Sequence, residues 1–176
     1  MILFLARVHN FKKLNLDCLF IVGGDGTLQI ANRFFEMGLP VIGIPKTIDN
    51  DLPLTDCSPG FGSVAKYVAT STREASLDIA SMCASSTKVF ILEVMGRHAG
   101  WIAASGGLAA EKAGDPPHII LFPEIPFSRE TFISKVEKTI HDKGYCVVVA
   151  SEGTQYSDGA HISGSLNRDA FGHQQL

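Results

Sequence analysis

No apolar run in these 176 residues approaches the ~18 that a membrane-spanning helix needs. The apolar opening Met1–Ala6 is followed at once by Arg7, His9, Lys12 and Lys13. It is too short for a secretory leader and carries its charge on the wrong side. Basic excess is missing too: 15 Lys and Arg stand against 18 Asp and Glu, a formal charge of −3. A protein that holds nucleic acid by its field is usually basic, so this balance argues against one. The four cysteines, Cys18, Cys57, Cys83 and Cys146, form no CxxC and no Cys/His pair at zinc spacing. They are expected to be reduced and structural, with Cys18 and Cys146 buried, in a cytoplasmic protein with no membrane partner. Internal repeats and low-complexity tracts are also absent. With 45% hydrophobic and 19% charged residues, the chain can bury a core. Its length fits one domain.

Five short apolar runs stand out: Cys18–Val22, Val41–Ile44, Val89–Val94, Ile119–Phe122 and Tyr145–Ala150. None alternates cleanly with polar residues, the pattern of parallel strands buried on both faces. Helical spacing fills the intervals. Leu28, Ala31, Phe34 and Phe35 share one face; 62–84 reads as a long helix with a break near Thr70–Thr72; Ile102, Ala103 and Leu108 mark a short one. Ser128 is a candidate N-cap ahead of Phe132, Val136 and Ile140. The only long irregular stretch is expected at Gly153–Asn167. This alternation predicts an α/β fold, an open and mostly parallel sheet with helices on both faces.

The polar motifs follow the strands in step. Gly23-Gly24-Asp25-Gly26-Thr27 comes after the first, Pro45-Lys46-Thr47-Ile48-Asp49-Asn50-Asp51 after the second and Met95-Gly96-Arg97-His98-Ala99-Gly100 after the third. Pro123-Glu124 comes after the fourth and Ser151-Glu152-Gly153 after the fifth. Open parallel sheets bind ligands beyond the carboxyl ends of their strands, so all five are expected on one sheet edge.

The first three motifs suit phosphate chemistry and the fourth a sugar. Paired glycines before a helix, expected to begin near Thr27, let backbone N–H groups approach an anion. Asp25 would repel bare phosphate, but it fits beside Mg²⁺, which takes carboxylate and phosphate oxygens together. Asp49 and Asp51 can divide the work of accepting a proton and orienting metal or water. Lys46 and Thr47 offer a cation and a hydroxyl, and Arg97 a planar fork for phosphate. His98 reads as a capping or packing residue. Glu124, between Pro123 and Pro126, is a fixed carboxylate suited to sugar hydroxyls.

GGDGT, PKTIDND, EVMGR and the PE turn, in this order and spacing, resemble the 6-phosphofructokinases, most closely the mixed ATP/pyrophosphate subgroup with lysine in PKTIDND. The resemblance runs from about Leu14 to the last residue. It implies a Rossmann-like phosphofructokinase fold and phosphoryl transfer to the 1-hydroxyl of fructose 6-phosphate, with Mg²⁺, in a homo-oligomer. It implies that Gly24, Asp25, Gly26, Thr27 and Lys46 bind the donor, with Asp25 on the metal. Thr47, Ile48, Asp49, Met95, Gly96, Arg97, Glu124 and His173 would bind the sugar phosphate. Asp49 would take the proton and Arg97 would stand by the transferring group.

Against the family pattern, Lys88 stands where an arginine often reaches the partner subunit's substrate. GHQQL ends in Leu176 where many members have arginine, and Arg168 is a poor substitute. The chain also lacks the family's leading strand and glycine-rich donor loop and stops early, so 1–176 is expected to be a partial phosphofructokinase domain. An Asp in place of Gly26 tends to exclude ATP in this family, so Gly26 favours ATP as donor, with pyrophosphate the alternative. Two further readings are a lipid or NAD kinase sharing GGDGT and a non-catalytic remnant that binds sugar phosphate.

Overall fold

The computed structural model of the chain describes residues 2–162. The expectations for His173, Arg168 and Leu176 lie outside the described residues. The chain divides into two compact units, Met1–Gly60 and Phe61–Leu176.

The first unit runs α1 (Ile2–Lys13), β1 (Leu19–Gly23), α2 (Asp25–Glu36) and β2 (Val41–Pro45). β1 and β2 pair in parallel, from Leu19 opposite Val41 to Gly23 opposite Pro45. Phe11 of α1, Phe34 of α2 and Leu39 form the core, with Leu19, Ile21 and Val41 packed on it from the sheet. The other face of the same strands carries Phe20, Val22, Ile42 and Ile44, and Phe20 is 63% exposed. Burial on both faces, expected of every strand, therefore does not hold for β1 and β2. A two-stranded sheet with its helices packed on one face leaves every second residue open. Phe35, assigned to the buried face of α2, is likewise exposed, whereas Ala31 and Phe34 are buried.

The second unit holds α3 (Phe61–Met82), β3 (Val89–Val94), α4 (Trp101–Ser105) with a 3-10 turn (Gly106–Ala109), β4 (Ile119–Leu121), α5 (Arg129–Lys143) and β5 (Cys146–Ser151). Its sheet is all parallel in the order β3-β5-β4. The central strand β5 is what the apolar pattern predicts, with Cys146 through Val149 at 0% exposure, whereas the edge strand β3 departs from it and leaves Ile91 exposed. Phe132, Val136 and Ile140 of α5 pack against Ile119, Cys146 and Val148. Gly106 lies against Val149. α5 opens on Ser128, whose Oγ accepts the Thr131 N–H at 3.3 Å, and closes on left-handed Gly144 at φ 86°.

Three local expectations change. α3 is continuous through Thr70–Thr72, because its buried face is Val68, Thr72, Ser76 and Ile79, a helical spacing that includes two polar residues. The Ser76 hydroxyl donates to Thr72 C=O at 2.5 Å, which satisfies it inside the packed face. Residues 46–60 and 110–118 are irregular as well as 153–162, the described part of the stretch after Gly153. All four cysteines are free thiols; Cys146 is buried and Cys18 half-buried. No helix among the described residues is long and apolar enough to cross a membrane.

Candidate functional site

Two motifs share the carboxyl edge of the first sheet. The Lys46 N–H donates to Gly23 C=O at 2.9 Å, which carries the β1–β2 pairing into the loops. Thr47 lies directly against Gly24: a methyl group on Gly24 would stand 3.4 Å from Thr47 Cβ. α2 begins at Asp25, two residues earlier than expected, with Gly24 as its N-cap and no side chain capping it. The first-turn N–H groups of this 12-residue helix thus stay available to an anion. The exposed Asp25 carboxylate takes the Gln29 amide at 2.8 Å on Oδ2 instead of capping the backbone. Gly26 borders open space, with nothing within 4 Å of where a side chain would start.

After β2 the chain makes a closed excursion. Thr47 Oγ1 accepts the Asp49 N–H at 3.2 Å, and Thr47 bridges to Gly60. Thr47, Ile48 and Asp49 are half-buried, while Lys46 and Asp51 are exposed. Asn50, between the two acids, is buried; its Oδ1 accepts the Ser58 N–H at 2.8 Å and its Nδ2 donates to Asp56 C=O at 3.3 Å.

The other three motifs lie at the carboxyl edge of the β3-β5-β4 sheet. They therefore gather as two and three on separate sheets, because the apolar runs mark strands without saying which edges pair. The Ser151 hydroxyl donates to Gly96 C=O at 2.5 Å and accepts the Gly153 N–H at 3.1 Å. The Glu152 N–H donates to Val94 C=O at 2.8 Å. Gly153 has to be glycine, since a methyl group there would collide with Arg97 C=O. Gly96 turns the chain at φ 121°, leaving Met95 exposed and Arg97 half-buried. Glu124 Oε1 accepts the Gly100 N–H at 2.8 Å and so anchors the start of α4. His98 is exposed and caps nothing, since Gly100 is the N-cap of α4.

Ser151 and Gly153 belong to the motif to which the sequence assigned a place but no role. Their signal was present in Ser-Glu-Gly following a strand at the same end as MGR, but no role followed until β5 paired with β3. Among the described residues no group of three or more His, Cys, Asp or Glu could hold a metal by itself. Mg²⁺ nevertheless fits Asp25, because this ion is commonly held by one or two carboxylates plus water and phosphate oxygens.

Residues 4–174 match the family model described as Phosphofructokinase. The chain is 58% identical over 175 residues to a pyrophosphate–fructose 6-phosphate 1-phosphotransferase of Halomonas elongata, covering 96% of this chain and 42% of the relative. Its identity to the protein of that name from Methylococcus capsulatus is 49%, with the same coverage. The crystal structure of a pyrophosphate-dependent phosphofructokinase from Marinobacter aquaeolei superposes with a TM-score of 0.78 at 59% identity, over 87% of this chain and 41% of that one. The chain thus spans about two fifths of the length of the curated relatives it matches.

Proposed function

The chain belongs to the phosphofructokinase family, and we propose that it carries out, within the protein that bears it, phosphoryl transfer from pyrophosphate to the 1-hydroxyl of fructose 6-phosphate. The observation that carries the donor assignment is the 58% identity, across 96% of the chain, to a pyrophosphate-named relative. It outweighs the expectation of ATP drawn from Gly26.

Asp49 accepts the proton of the attacking hydroxyl, and Thr47 and Ile48 contact the sugar phosphate beside it. The open N-terminus of α2, with Gly24, Gly26, Thr27 and the Lys46 ammonium, cradles the donor phosphates. Asp25 would hold Mg²⁺, which when bound supplies positive charge against the phosphate oxygens. Met95 and Gly96 shape the loop that presents Arg97, whose fork stabilises charge on the transferring group. Glu124 keeps Oε2 for a sugar hydroxyl while Oε1 holds Gly100. His173 completes the proposed sugar-phosphate contacts, and the enzyme is a homo-oligomer.

ATP is the second reading, favoured by one specific observation: the open space at Gly26 leaves room for an α-phosphate. A coupled assay with fructose 6-phosphate, Mg²⁺ and each donor separates the two. Turnover with pyrophosphate well above that with ATP is expected. A preference for ATP overturns the donor, and turnover with neither overturns the activity.

A further inference from the structure

Asn50 is a polar residue with an unusual combination of features. It is 8% exposed and adopts φ 55°, the left-handed region that asparagine tolerates better than other side chains with a Cβ. Its amide reaches across the loop, with Oδ1 accepting the Ser58 N–H at 2.8 Å and Nδ2 donating to Asp56 C=O at 3.3 Å. Asp49 and Asp51 flank it directly in the chain. Each shares a peptide plane with Asn50, so the direction in which each acid leaves the backbone depends on the Asn50 dihedral angles. The second anchor lies upstream, where Thr47 Oγ1 holds the Asp49 N–H at 3.2 Å and Thr47 bridges to Gly60. The loop is thus closed at its mouth by Thr47 and Gly60 and pinned across its middle by Asn50.

We propose that Asn50 is a positioning residue for the two acids, acting through its own left-handed backbone and the clamp of its amide on Asp56 and Ser58, so that Asp49 is held ready to take the proton. This rests on the phosphoryl-transfer reading above. Glycine would supply the left-handed conformation without the clamp, so the residue type separates the two requirements. Asn50→Asp would keep the acceptor for the Ser58 N–H and lose the donor to the Asp56 carbonyl.

The experiment compares the parent with Asn50→Gly and Asn50→Asp in the protein that bears this chain. One arm is amide hydrogen exchange by mass spectrometry over peptides covering 46–60; the other is steady-state kinetics. Asn50→Gly is expected to speed exchange in 46–60 by at least about tenfold while peptides from β5 stay protected. Turnover is expected to fall roughly 10–100-fold, the scale set by ångström-level misplacement, with KM for fructose 6-phosphate within about twofold. Asn50→Asp is expected to restore part of both. Unchanged exchange in 46–60 with Asn50→Gly overturns the clamp. Loosened exchange with unchanged turnover, or a loss carried by KM instead of turnover, overturns the positioning role. If the parent itself shows no turnover, the phosphoryl-transfer reading fails and with it the catalytic half of this proposal, while the exchange arm still decides the clamp.

Discussion

The loop after β2 and the loop after β3 each present a charged side chain at a strand end, yet they are held by opposite means. The segment from Lys46 to Gly60 joins the sheet through the Lys46 N–H on Gly23 C=O, and beyond that point Thr47, Asn50, Asp56, Ser58 and Gly60 clamp it from within. The Met95–Arg97 loop has its hold delivered from 55 residues away by the Ser151 hydroxyl, with Gly153 stripped of a side chain so that Arg97 C=O can approach. A locally closed loop keeps its shape as long as its own residues are intact. A remotely held loop exists only once β5 has paired with β3, so its order is tied to the stability of the sheet.

The largest expected effect in this comparison comes from the acid in the locally held loop. Asp49→Asn keeps the shape and removes the proposed proton acceptor, so turnover should fall by about 10²–10⁴ with sugar-phosphate affinity largely kept. Steady-state kinetics check this, and turnover within about threefold of the parent would remove Asp49 as the base.

Ser151→Ala sharpens the contrast from the other side. It leaves Gly96 C=O and the Gly153 N–H without their buried partner, which is expected to cost about 1–3 kcal/mol in urea unfolding. Because the loop presents the proposed Arg97 fork to the transferring group, turnover should fall more than KM for the sugar phosphate rises, and amide exchange in 46–60 should not change. Loosening of both loops together would mean that their holds are not separate.

Gly26→Asp probes the open start of α2. The added carboxylate would face an ATP α-phosphate and lie clear of the shorter pyrophosphate, so ATP use should drop about tenfold relative to pyrophosphate use. Equal losses with both donors, read from kcat/KM, would refute that geometry.

The smallest effect concerns a second remote hold, in the sheet itself. The Val147 N–H donates to His118 Nδ1 at 3.0 Å. Burial first, and then the Lys143 charge, push the His118 pKa below its ordinary 6.5. Because the folded pKa is depressed, the unfolded chain binds the proton more readily. The stability contribution is therefore full above pH of about 6.5 and is lost as pH falls from there through the folded value. Urea midpoints between pH of about 7.5 and about 5 should decline for the parent and flatten for His118→Gln; parallel declines would show that other groups dominate.

Much of this molecule was legible in its residues. The five apolar runs mark the five strands among the described residues to within a residue or two, and Ser128 caps α5 as its position before Phe132 suggests. The pattern failed where burial depends on neighbours. Cys146–Val149 and Phe20–Val22 look alike as apolar runs, but one is a central strand covered on both faces and the other leaves Phe20 and Val22 open. The break expected in α3 arose from reading Thr70–Thr72 as polar, when Thr72 faces the interior. The ATP expectation rested on one position, Gly26, whereas identity along the whole chain supports pyrophosphate.

The sequence by itself determined which residue types stand at each strand end, because a glycine pair, a turn of two aspartates and a glycine-flanked arginine are local choices carried by a few residues. It also determined the helix and strand alternation, since periodicity is a property of short windows. Only the tertiary structure decided which strands became neighbours, which apolar faces closed, and that Ser151 and Gly153 hold the arginine loop. These depend on contacts between residues tens of positions apart, formed only when a sheet assembles, and nothing in a short window of sequence records them.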